Sequence, residues 1–385
     1  MTQQYRIHQG DNVATLAKLA DNSVDSVVTD PPYGIDFLGK DWDSDTGSLE
    51  TYRECLRVLK PGGYILAFSA ARTYHHLATT IERAGFEIRD QLMWLYGSGF
   101  PKAQDLGRAI QKRQGVEETK DRTLGASGGY KNNAVGGGLK QNTEINTKIN
   151  EIVATSPEAR QWSGWKTALK PAHEPIVMAR KPFKGSCLDN VLANGVGALN
   201  IDATRIPTDD KLVGNLVNIQ TAIGGAAPGD RFAGGWKQDE AGRYPSNVIG
   251  EVDEYQKYFY SPKVSRSERH VGFEDNMPPT NGTTKMYGKD QAVVRETTNY
   301  QSGNNHPTVK PVALMRYLIK LVTPENSVVL DPYSGSGSTG MAAVELGHQF
   351  IGCELDPDYV AIAERRIQAW NKLSPEEESF DSLLD

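Results

Sequence analysis

The residues best suited to do chemistry stand early in the chain, in the run Asp30-Pro31-Pro32-Tyr33. This run follows Ser26-Val27-Val28, whose β-branched residues are typical of a buried parallel strand. Proline fixes its own φ and pushes the preceding residue into extended geometry, so the run predicts a stiff segment at the carboxyl end of a strand. Open α/β sheets hold their ligands at that end. The segment offers a carboxylate, backbone carbonyls and an aromatic ring, a set that suits a planar molecule with an amino group; a proline turn with a surface tyrosine is the alternative.

A second candidate site lies near the other end of the chain. A predicted strand over 327–331 leads into Gly335-Ser336-Gly337-Ser338-Thr339-Gly340, which fits G-x-G-x-x-G, and Glu354 ends the following strand. Glycines let a backbone approach a ligand closely, and an acidic residue at the end of the next strand can bind ribose hydroxyls. This pattern by itself also fits an NAD-dependent dehydrogenase. It is not a P-loop, because no Gly-Lys-Ser/Thr follows.

Two further runs flank the predicted strand at 327–331. Asp331-Pro332-Tyr333-Ser334 stands between the strand and the glycines, and His306-Pro307-Thr308-Val309-Lys310-Pro311 precedes the strand. Together with the run at 30–33, they resemble the S-adenosylmethionine-dependent DNA amino-methyltransferases, whose N6-adenine members usually carry DPPY. Tyr333 replaces the usual Phe, and Ser338 precedes the threonine. The order of the blocks, catalytic first, variable in the centre and cofactor-binding last, resembles the β arrangement of these enzymes. In the central region, the stretches 162–181 and 244–248 resemble adenine methyltransferases often found in phages and prophages.

The resemblance implies roles for the residues of both runs. Asp30, Pro31, Pro32 and Tyr33 would be catalytic: the Asp30 carboxylate and the Pro31 carbonyl would accept the two N–H bonds of the target amine, and Tyr33 would stack on a flipped base. The residues implied to bind S-adenosylmethionine are Asp11, Thr308, Lys310, Asp331, Tyr333, Ser334, Gly335, Gly337, Thr339, Glu354 and Asp356.

Within the cofactor set, the resemblance places Glu354 at the ribose hydroxyls. Asp11 and Asp356 would approach the adenine of the cofactor. Thr308 and Lys310 would lie near its amino-acid end, with a solvated lysine as the alternative for Lys310. Trp42 and Trp94 are candidate walls of the base pocket, with core packing as the alternative.

The elements that must position these residues alternate between strand and helix at both ends of the chain. This alternation predicts an α/β fold with a doubly wound, mainly parallel sheet, and the resemblance implies a circularly permuted, Rossmann-like methyltransferase sheet. We expect residues 1–100 to form the catalytic part and residues 306–372 the cofactor-binding part. Residues 101–305 would form an irregular target-recognition region, from which 160–182 could return to the sheet. Residues 373–385 are predicted to be a disordered acidic tail.

Composition places few limits on function. The 385-residue chain has a net charge of -6, but 9 basic and 13 acidic residues leave residues 1–96 at -4, whereas residues 97–305 have 27 basic and 23 acidic residues, or +4. A relatively basic middle is compatible with DNA, although it does not demonstrate DNA binding. Without a signal-peptide core or a membrane-length apolar run, the chain is predicted to be cytoplasmic, in a bacterial or phage-infected cell.

Several alternatives stay open on the sequence alone. N4-cytosine is the alternative target base, whereas RNA and protein-glutamine methylation are disfavoured because such enzymes usually carry Asn in place of Asp30. C5-cytosine methylation is disfavoured because Cys55, Cys187 and Cys353 lack the Pro-Cys context of its nucleophile; their spacing does not indicate a metal site either. Double-stranded DNA is the predicted partner. Relatives are often homodimers, with or without a cognate restriction enzyme, and the sequence decides neither point.

Overall fold

A large sheet with helices on both faces organises the chain in a computed structural model. The structure describes residues 4–35, 43, 45–96, 103–115, 119–124, 147–208, 241–250, 264–273 and 303–373. These residues divide into two compact units. One holds the described residues up to 96 and from 173 onward, and the other holds those between 103 and 172. The predicted tail beyond Leu373 and the candidate base wall Trp42 lie outside the described residues.

The strands alternate with helices along the chain, as the sequence predicts. The strands are β1 (Tyr5–Gln9), β2 (Val24–Thr29), β3 (Leu59–Phe68), β4 (Glu87–Leu95), β5 (Thr119–Leu124), β6 (Thr147–Ile152), β7 (His173–Arg180), β8 (Val248–Gly250), β9 (Val328–Asp331) and β10 (Gln349–Glu354). The helices are α1 (Asn12–Leu16), α2 (Leu49–Val58), α3 (Tyr74–Ala84), α4 (Leu106–Arg113), α5 (Pro157–Gln161), α6 (Cys187–Asn194), α7 (Arg266–Arg269), α8 (Val312–Val322), α9 (Ser338–Glu345) and α10 (Pro357–Leu373), with a 3-10 turn over Asp202–Thr204.

The main sheet has eight strands in the order β1-β10-β9-β2-β3-β7-β4-β8. The first five run parallel to one another, so their carboxyl ends meet at one edge. Strand β7 is antiparallel to both of its neighbours, β3 and β4. Its first residues therefore lie at the same edge as the carboxyl ends of the others, where Glu174 pairs with Trp94. This edge collects residues from both ends of the chain and from its middle.

Each face of the sheet has its own core, because neighbouring residues of a strand point to opposite faces. Val27 and Ile65 pack in a core with residues of α1, α2 and α3. Val28 and Leu66 pack on the other side with residues of α8, α9 and α10. Each fully buried aliphatic side chain contributes about 1.5–3 kcal/mol to folding. The structure confirms the predicted α/β, doubly wound architecture.

The second unit is small and is built around α4 and α5. Gln111 of α4 is buried, and its Oε1 accepts hydrogen bonds from the backbone amides of Thr155 and Ser156 at 2.9 and 3.0 Å. A Cβ at Gly107 would lie 2.8 Å from the carbonyl oxygen of Ala159, so only glycine allows this approach of the two helices. Strands β5 and β6 form a separate antiparallel pair.

Neither membrane nor metal features occur in the described residues. In these ranges, the structure has no helix of the length and apolarity that a bilayer span requires. Nor do the described His, Cys, Asp and Glu side chains form a group of three or more that could hold a metal ion.

Candidate active site

Asp43 anchors the stiff segment that begins at Asp30, directly after β2. This side chain is only 1% exposed, and its carboxylate accepts hydrogen bonds from the backbone amides of Tyr33, Gly34 and Ile35 at 2.6, 3.1 and 3.2 Å. Three such bonds to a charged acceptor fix the backbone that follows Asp30. The carboxylate of Asp30 is consequently presented at the sheet edge in a defined position.

Asp30 belongs to a cluster of four polar side chains drawn from three distant parts of the chain. Its Oδ2 accepts a hydrogen bond from Lys310 Nζ at 2.5 Å, and its Oδ1 lies 2.8 Å from the Tyr33 hydroxyl. The same hydroxyl lies 2.8 Å from Glu174 Oε2 and 3.0 Å from Lys310 Nζ. Glu174 Oε2 is 3.4 Å from Lys310 Nζ. We call Asp30, Tyr33, Glu174 and Lys310 the carboxylate cluster.

Opposite charges within the carboxylate cluster stabilise one another. Burial alone would lower the pKa of Lys310, but the negative charges of Asp30 and Glu174 outweigh it and raise this pKa above its ordinary value. Burial, followed by the same two charges, raises the pKa of Tyr33 well above its ordinary value. Lys310 is therefore an ammonium and Tyr33 a neutral hydroxyl at physiological pH. Two carboxylates and one ammonium leave the cluster a net charge of -1, which suits a reaction that develops positive charge.

Aromatic rings enclose the cluster. Lys310 Nζ lies 4.9 Å from the ring centroid of Phe68 and 5.3 Å from that of Tyr33, within the range of cation–π attraction. Trp94 packs edge-on against Phe68 at 6.4 Å and lies 5.2 Å from the ring of Tyr96. The structure thus places Trp94 beside the cluster, partly buried against the core.

The glycine-rich loop after β9 is joined directly to the end of β2. Asp331, which is 2% exposed, accepts hydrogen bonds at Oδ1 from the Thr29 hydroxyl (2.7 Å) and the Tyr333 amide (3.0 Å), and at Oδ2 from the Thr339 hydroxyl (2.6 Å). Burial raises the pKa of Asp331 to about 6. Through these three hydrogen bonds, the Asp331 carboxylate holds the loop in shape and links it to Thr29, the residue before Asp30.

The loop itself has the backbone conformation that its glycines predict. Gly335 and Gly337 have φ values of +50° and +79°, in the left-handed region that favours glycine. A Cβ at Gly335 would lie 3.0 Å from His306 Nε2. The Gly335 amide donates to Glu354 Oε2 at 2.8 Å, and the Asp356 amide donates to Oε1 at 3.0 Å. Glu354 thus lies at the end of β10, beside the loop. Burial raises the pKa of its carboxyl group.

Arg366 is fully buried and supports the glycine-rich loop through hydrogen bonds. Its guanidinium donates to the Ser336 carbonyl at 2.6 Å, to the Ser336 hydroxyl at 3.1 Å and to the Ser338 hydroxyl at 3.4 Å. Burial lowers its pKa to about 10, so it keeps its charge at neutral pH. A further hydrogen bond reaches the Glu268 carbonyl, which ties α7 to the same support.

The remaining predicted cofactor residues take up varied positions. Asp11 is exposed and caps α1 by accepting a hydrogen bond from the Ala14 amide, the usual role of an aspartate at the start of a helix. Asp356 and Thr308 are exposed at the same edge, next to Glu354 and His306. Burial raises the pKa of Tyr333 to about 12, and its hydroxyl hydrogen-bonds with the side chains of Thr51 and Asn12.

Sequence reasoning missed three residues of this site: Asp43, Glu174 and Arg366. Asp43 and Arg366 act through contacts that no local pattern announces. Glu174 had a usable signal, since this charged residue directly precedes the apolar run at 175–179, within the stretch 160–182 that is expected to return to the sheet. The sequence also does not indicate the partners of Lys310, whose ammonium contacts Asp30 and Glu174; its place near the amino-acid end of the cofactor stays a prediction.

We expect His306 to make stability depend on pH. Burial lowers the pKa of His306 to about 4, from an ordinary value of 6.5, so the folded protein keeps the ring neutral while the unfolded chain binds a proton. This contribution is present above about pH 6.5, is lost as the pH falls toward 4, and amounts to about 3 kcal/mol. Urea unfolding between pH 4 and 8 measures it. The His306→Gln variant should show a flatter dependence, and identical curves would contradict the assignment.

Comparisons with known proteins give the site a family. The profile of the N6_N4_Mtase family, described as DNA methylase, matches residues 24–365. The Type II methyltransferase M.HindIII of Haemophilus influenzae is 23% identical over 94% of both chains. The DNA adenine methyltransferase YhdJ of Escherichia coli is 40% identical over 30% of this chain and 39% of that protein. The crystal structure of an M1.HpyAVI–SAM complex is 17% identical in sequence, the match covers 94% of this chain and 99% of that chain, and the TM-score is 0.42. The family match confirms the predicted resemblance: the chain belongs to the N6_N4_Mtase family and is a DNA methylase.

Proposed function

We propose that this chain transfers the methyl group of S-adenosylmethionine to the exocyclic N6 amine of adenine in double-stranded DNA. One observation carries the proposal: the Thr29–Asp331 hydrogen bond joins the segment bearing Asp30 to the glycine-rich loop. An amine-accepting carboxylate and a cofactor-type loop therefore leave neighbouring strands, β2 and β9, at the same edge of the sheet. An amine and a methyl donor bound to these two features would meet there.

The residues of the loop fit S-adenosylmethionine. Ser334 Oγ is buried and lacks a hydrogen-bond partner among the described residues, so its hydroxyl is available to a ligand. The Glu354 carboxylate keeps lone pairs beyond its two amide bonds, and ribose hydroxyls are suitable donors to them. The left-handed glycines leave the loop backbone open to close approach. We propose that Ser334, Gly335, Gly337 and Glu354 hold the cofactor, while Asp331 and Thr339 keep the loop in shape.

In the proposed mechanism the protein acts by positioning the target amine against its hydrogen-bond acceptors and the methyl donor. The lone pair of an adenine amine is delocalised into the ring, so the nitrogen is a weak nucleophile. If Asp30 and the Pro31 carbonyl each accept one N–H bond, the nitrogen can pyramidalise and direct its lone pair outward. The bound cofactor supplies an electrophilic methyl group on a sulfonium. The Asp30 carboxylate then accepts the proton that the methylated amine releases. Pro32 keeps the acceptors rigid, and the Tyr33 ring would stack on the base.

Access to DNA requires that the base leave the helix. An adenine inside a duplex cannot reach the carboxylate cluster, and flipping it out costs a few kcal/mol. We propose that residues 101–305 contain the groups that recognise the target sequence, because they hold the relative excess of basic residues. A homodimer and a cognate restriction enzyme are further proposals, and they rest on the resemblance alone.

Other chemistries have less support. N4-cytosine methylation uses the same acceptors and is the alternative within the family, whose name covers both reactions; the DPPY run at 30–33 favours adenine. C5-cytosine methylation needs a thiolate nucleophile. Cys353 is buried within β10, and burial raises the pKa of its thiol to about 12. A dehydrogenase would leave the carboxylate cluster without a function.

Nucleoside analysis tests the proposal. DNA incubated with the protein and S-adenosylmethionine, then digested to nucleosides and analysed by mass spectrometry, should contain N6-methyladenine. N4-methylcytosine alone would refute the adenine assignment. A thermal-shift comparison separates the cofactor from its rival, since ligands stabilise the fold that binds them: S-adenosylmethionine should raise Tm and NAD should not. Stabilisation by NAD alone would contradict the cofactor assignment.

A further inference from the structure

The Tyr33 hydroxyl lies between two carboxylates that are equally close to it. Its oxygen is 2.8 Å from Asp30 Oδ1 and 2.8 Å from Glu174 Oε2. A hydroxyl carries one proton and can donate to only one acceptor at a time. The second contact is a hydrogen bond only when that carboxylate carries a proton and donates it to the hydroxyl. The three groups thus form a continuous path along which one proton can be passed, and the path ends at Glu174.

We propose that Glu174 is the second carboxylate of the reaction and takes over, through the Tyr33 hydroxyl, the proton that Asp30 receives. Methyl transfer leaves the amine nitrogen with an extra bond and a positive charge. One N–H bond then breaks, its electron pair stays on nitrogen, and the proton binds Asp30 Oδ1. Tyr33 accepts that proton while its own passes to Glu174 Oε2. Asp30 is again ionised, Tyr33 is again neutral, and Glu174 is protonated.

The surroundings of Glu174 support this role. Lys310 contacts Asp30 and Glu174, so it holds both carboxylates around the one hydroxyl. Tyr96 at the end of β4 also hydrogen-bonds to Glu174, and burial, followed by the charge of Glu174, raises the pKa of Tyr96 to about 12. Tyr96 is therefore a donor to Glu174 and does not compete as a base. The Glu174 side chain is 20% exposed, which lets it release the proton to solvent before the next turnover.

The inference rests on the proposed function, because it needs an amine that loses a proton. Glu174 is not expected to touch substrate, so it is a positioning residue that acts through Tyr33. Its position at the start of the antiparallel strand β7 explains its reach: the register pairs Glu174 with Trp94 and carries it past Phe68, to the edge where β2 ends. A parallel strand in the same place would present its carboxyl end there instead.

Steady-state kinetics of two isosteric variants test the proposal. Glu174→Gln removes the final acceptor, and Tyr33→Phe removes the relay while keeping the ring. Each should lower kcat about 10- to 100-fold, a part of what general acid–base catalysis contributes, while KM for S-adenosylmethionine and for DNA stays within about threefold. Since both act on one path, the double variant should lose no more than the worse single variant. Glu174→Asp should recover part of kcat.

Glu87→Gln is the matched control, because Glu87 lies at the start of β4, pairs with Arg180 and is remote from the cluster; it should behave as wild type. Unchanged kcat in both test variants would overturn the proposal, as would losses that multiply in the double variant. A fall in cofactor affinity and Tm for Glu174→Gln, with full activity in Tyr33→Phe, would show a merely structural role and also overturn it. If the unmodified protein forms no N6-methyladenine, the proposed function fails instead.

Discussion

Asp30→Ala should abolish methyl transfer while the protein still folds and binds S-adenosylmethionine. The carboxylate accepts an N–H bond of the target amine and then its proton, and no neighbouring group occupies the same position on the β2 segment. Removal of one pre-set polar partner of a transition state costs about 10²–10³ in kcat, and loss of the proton acceptor adds to this. The fold should tolerate the change because Lys310 keeps Glu174 as a partner at 3.4 Å.

The measurement is transfer of a tritiated methyl group to DNA, with cofactor affinity determined in parallel by calorimetry. Asp21→Ala serves as the control, since Asp21 is exposed and its ion pair with Arg57 is remote from the active site. A variant that retains full activity would contradict the proposed mechanism. Loss of activity together with loss of cofactor binding would show that Asp30 acts on the loop and not on the amine.

Lys310→Met should have the second-largest effect and should lower both stability and activity. The Lys310 side chain is 8% exposed and lies between two carboxylates. Methionine keeps most of its volume, but it leaves Asp30 and Glu174 close together without a counter-ion. Removing one partner of a buried ion pair costs about 3–5 kcal/mol. We also expect kcat to fall about 100-fold, because the acceptor oxygens of Asp30 lose the group that holds them.

Urea unfolding at pH 7.5 measures the loss of stability, and a double-mutant cycle assigns its cause. Adding Asp30→Asn to Lys310→Met removes one of the two unpaired charges, so the double variant should recover part of the lost free energy of unfolding. Lys184→Met is the control at an exposed position. Equal stability of Lys310→Met and the wild type would show that the ion pair does not hold the cluster.

The parts of the site that could be predicted from sequence are those that depend on neighbouring residues in the chain. Asp30 follows an apolar strand and precedes two prolines, and Gly335 and Gly337 follow another, so each could be placed at a strand end without a structure. Glu354 was recognised for the same reason. For Asp331 the sequence predicts a place in the cofactor pocket, and the structure adds three hydrogen bonds through which its carboxylate organises the loop.

The parts that could not be predicted depend on contacts between distant positions. Lys310 Nζ meets Asp30 across 280 positions of sequence, and periodicity contains no information on such a pair. The stretch 160–182 is expected to return to the sheet, but the antiparallel direction of β7, which brings Glu174 to the edge, follows from topology. Element boundaries also differ from local patterns: Lys60-Pro61-Gly62-Gly63 is typical of a helix end, yet α2 ends at Val58 and residues 60–63 lie within β3, which begins at Leu59. Tertiary pairing decided that register.

The central claim is that Asp30 and the glycine-rich loop hold the amine and the methyl donor in one active site. The most direct test is a crystal structure of the protein with a non-reactive cofactor analogue and an adenine-containing duplex. We expect the analogue on the loop at 334–337, and the N6 amine of a flipped adenine about 3 Å from the Asp30 carboxylate, with its free side facing the analogue. A cofactor bound away from Gly335, or a base whose amine does not reach Asp30, would contradict it.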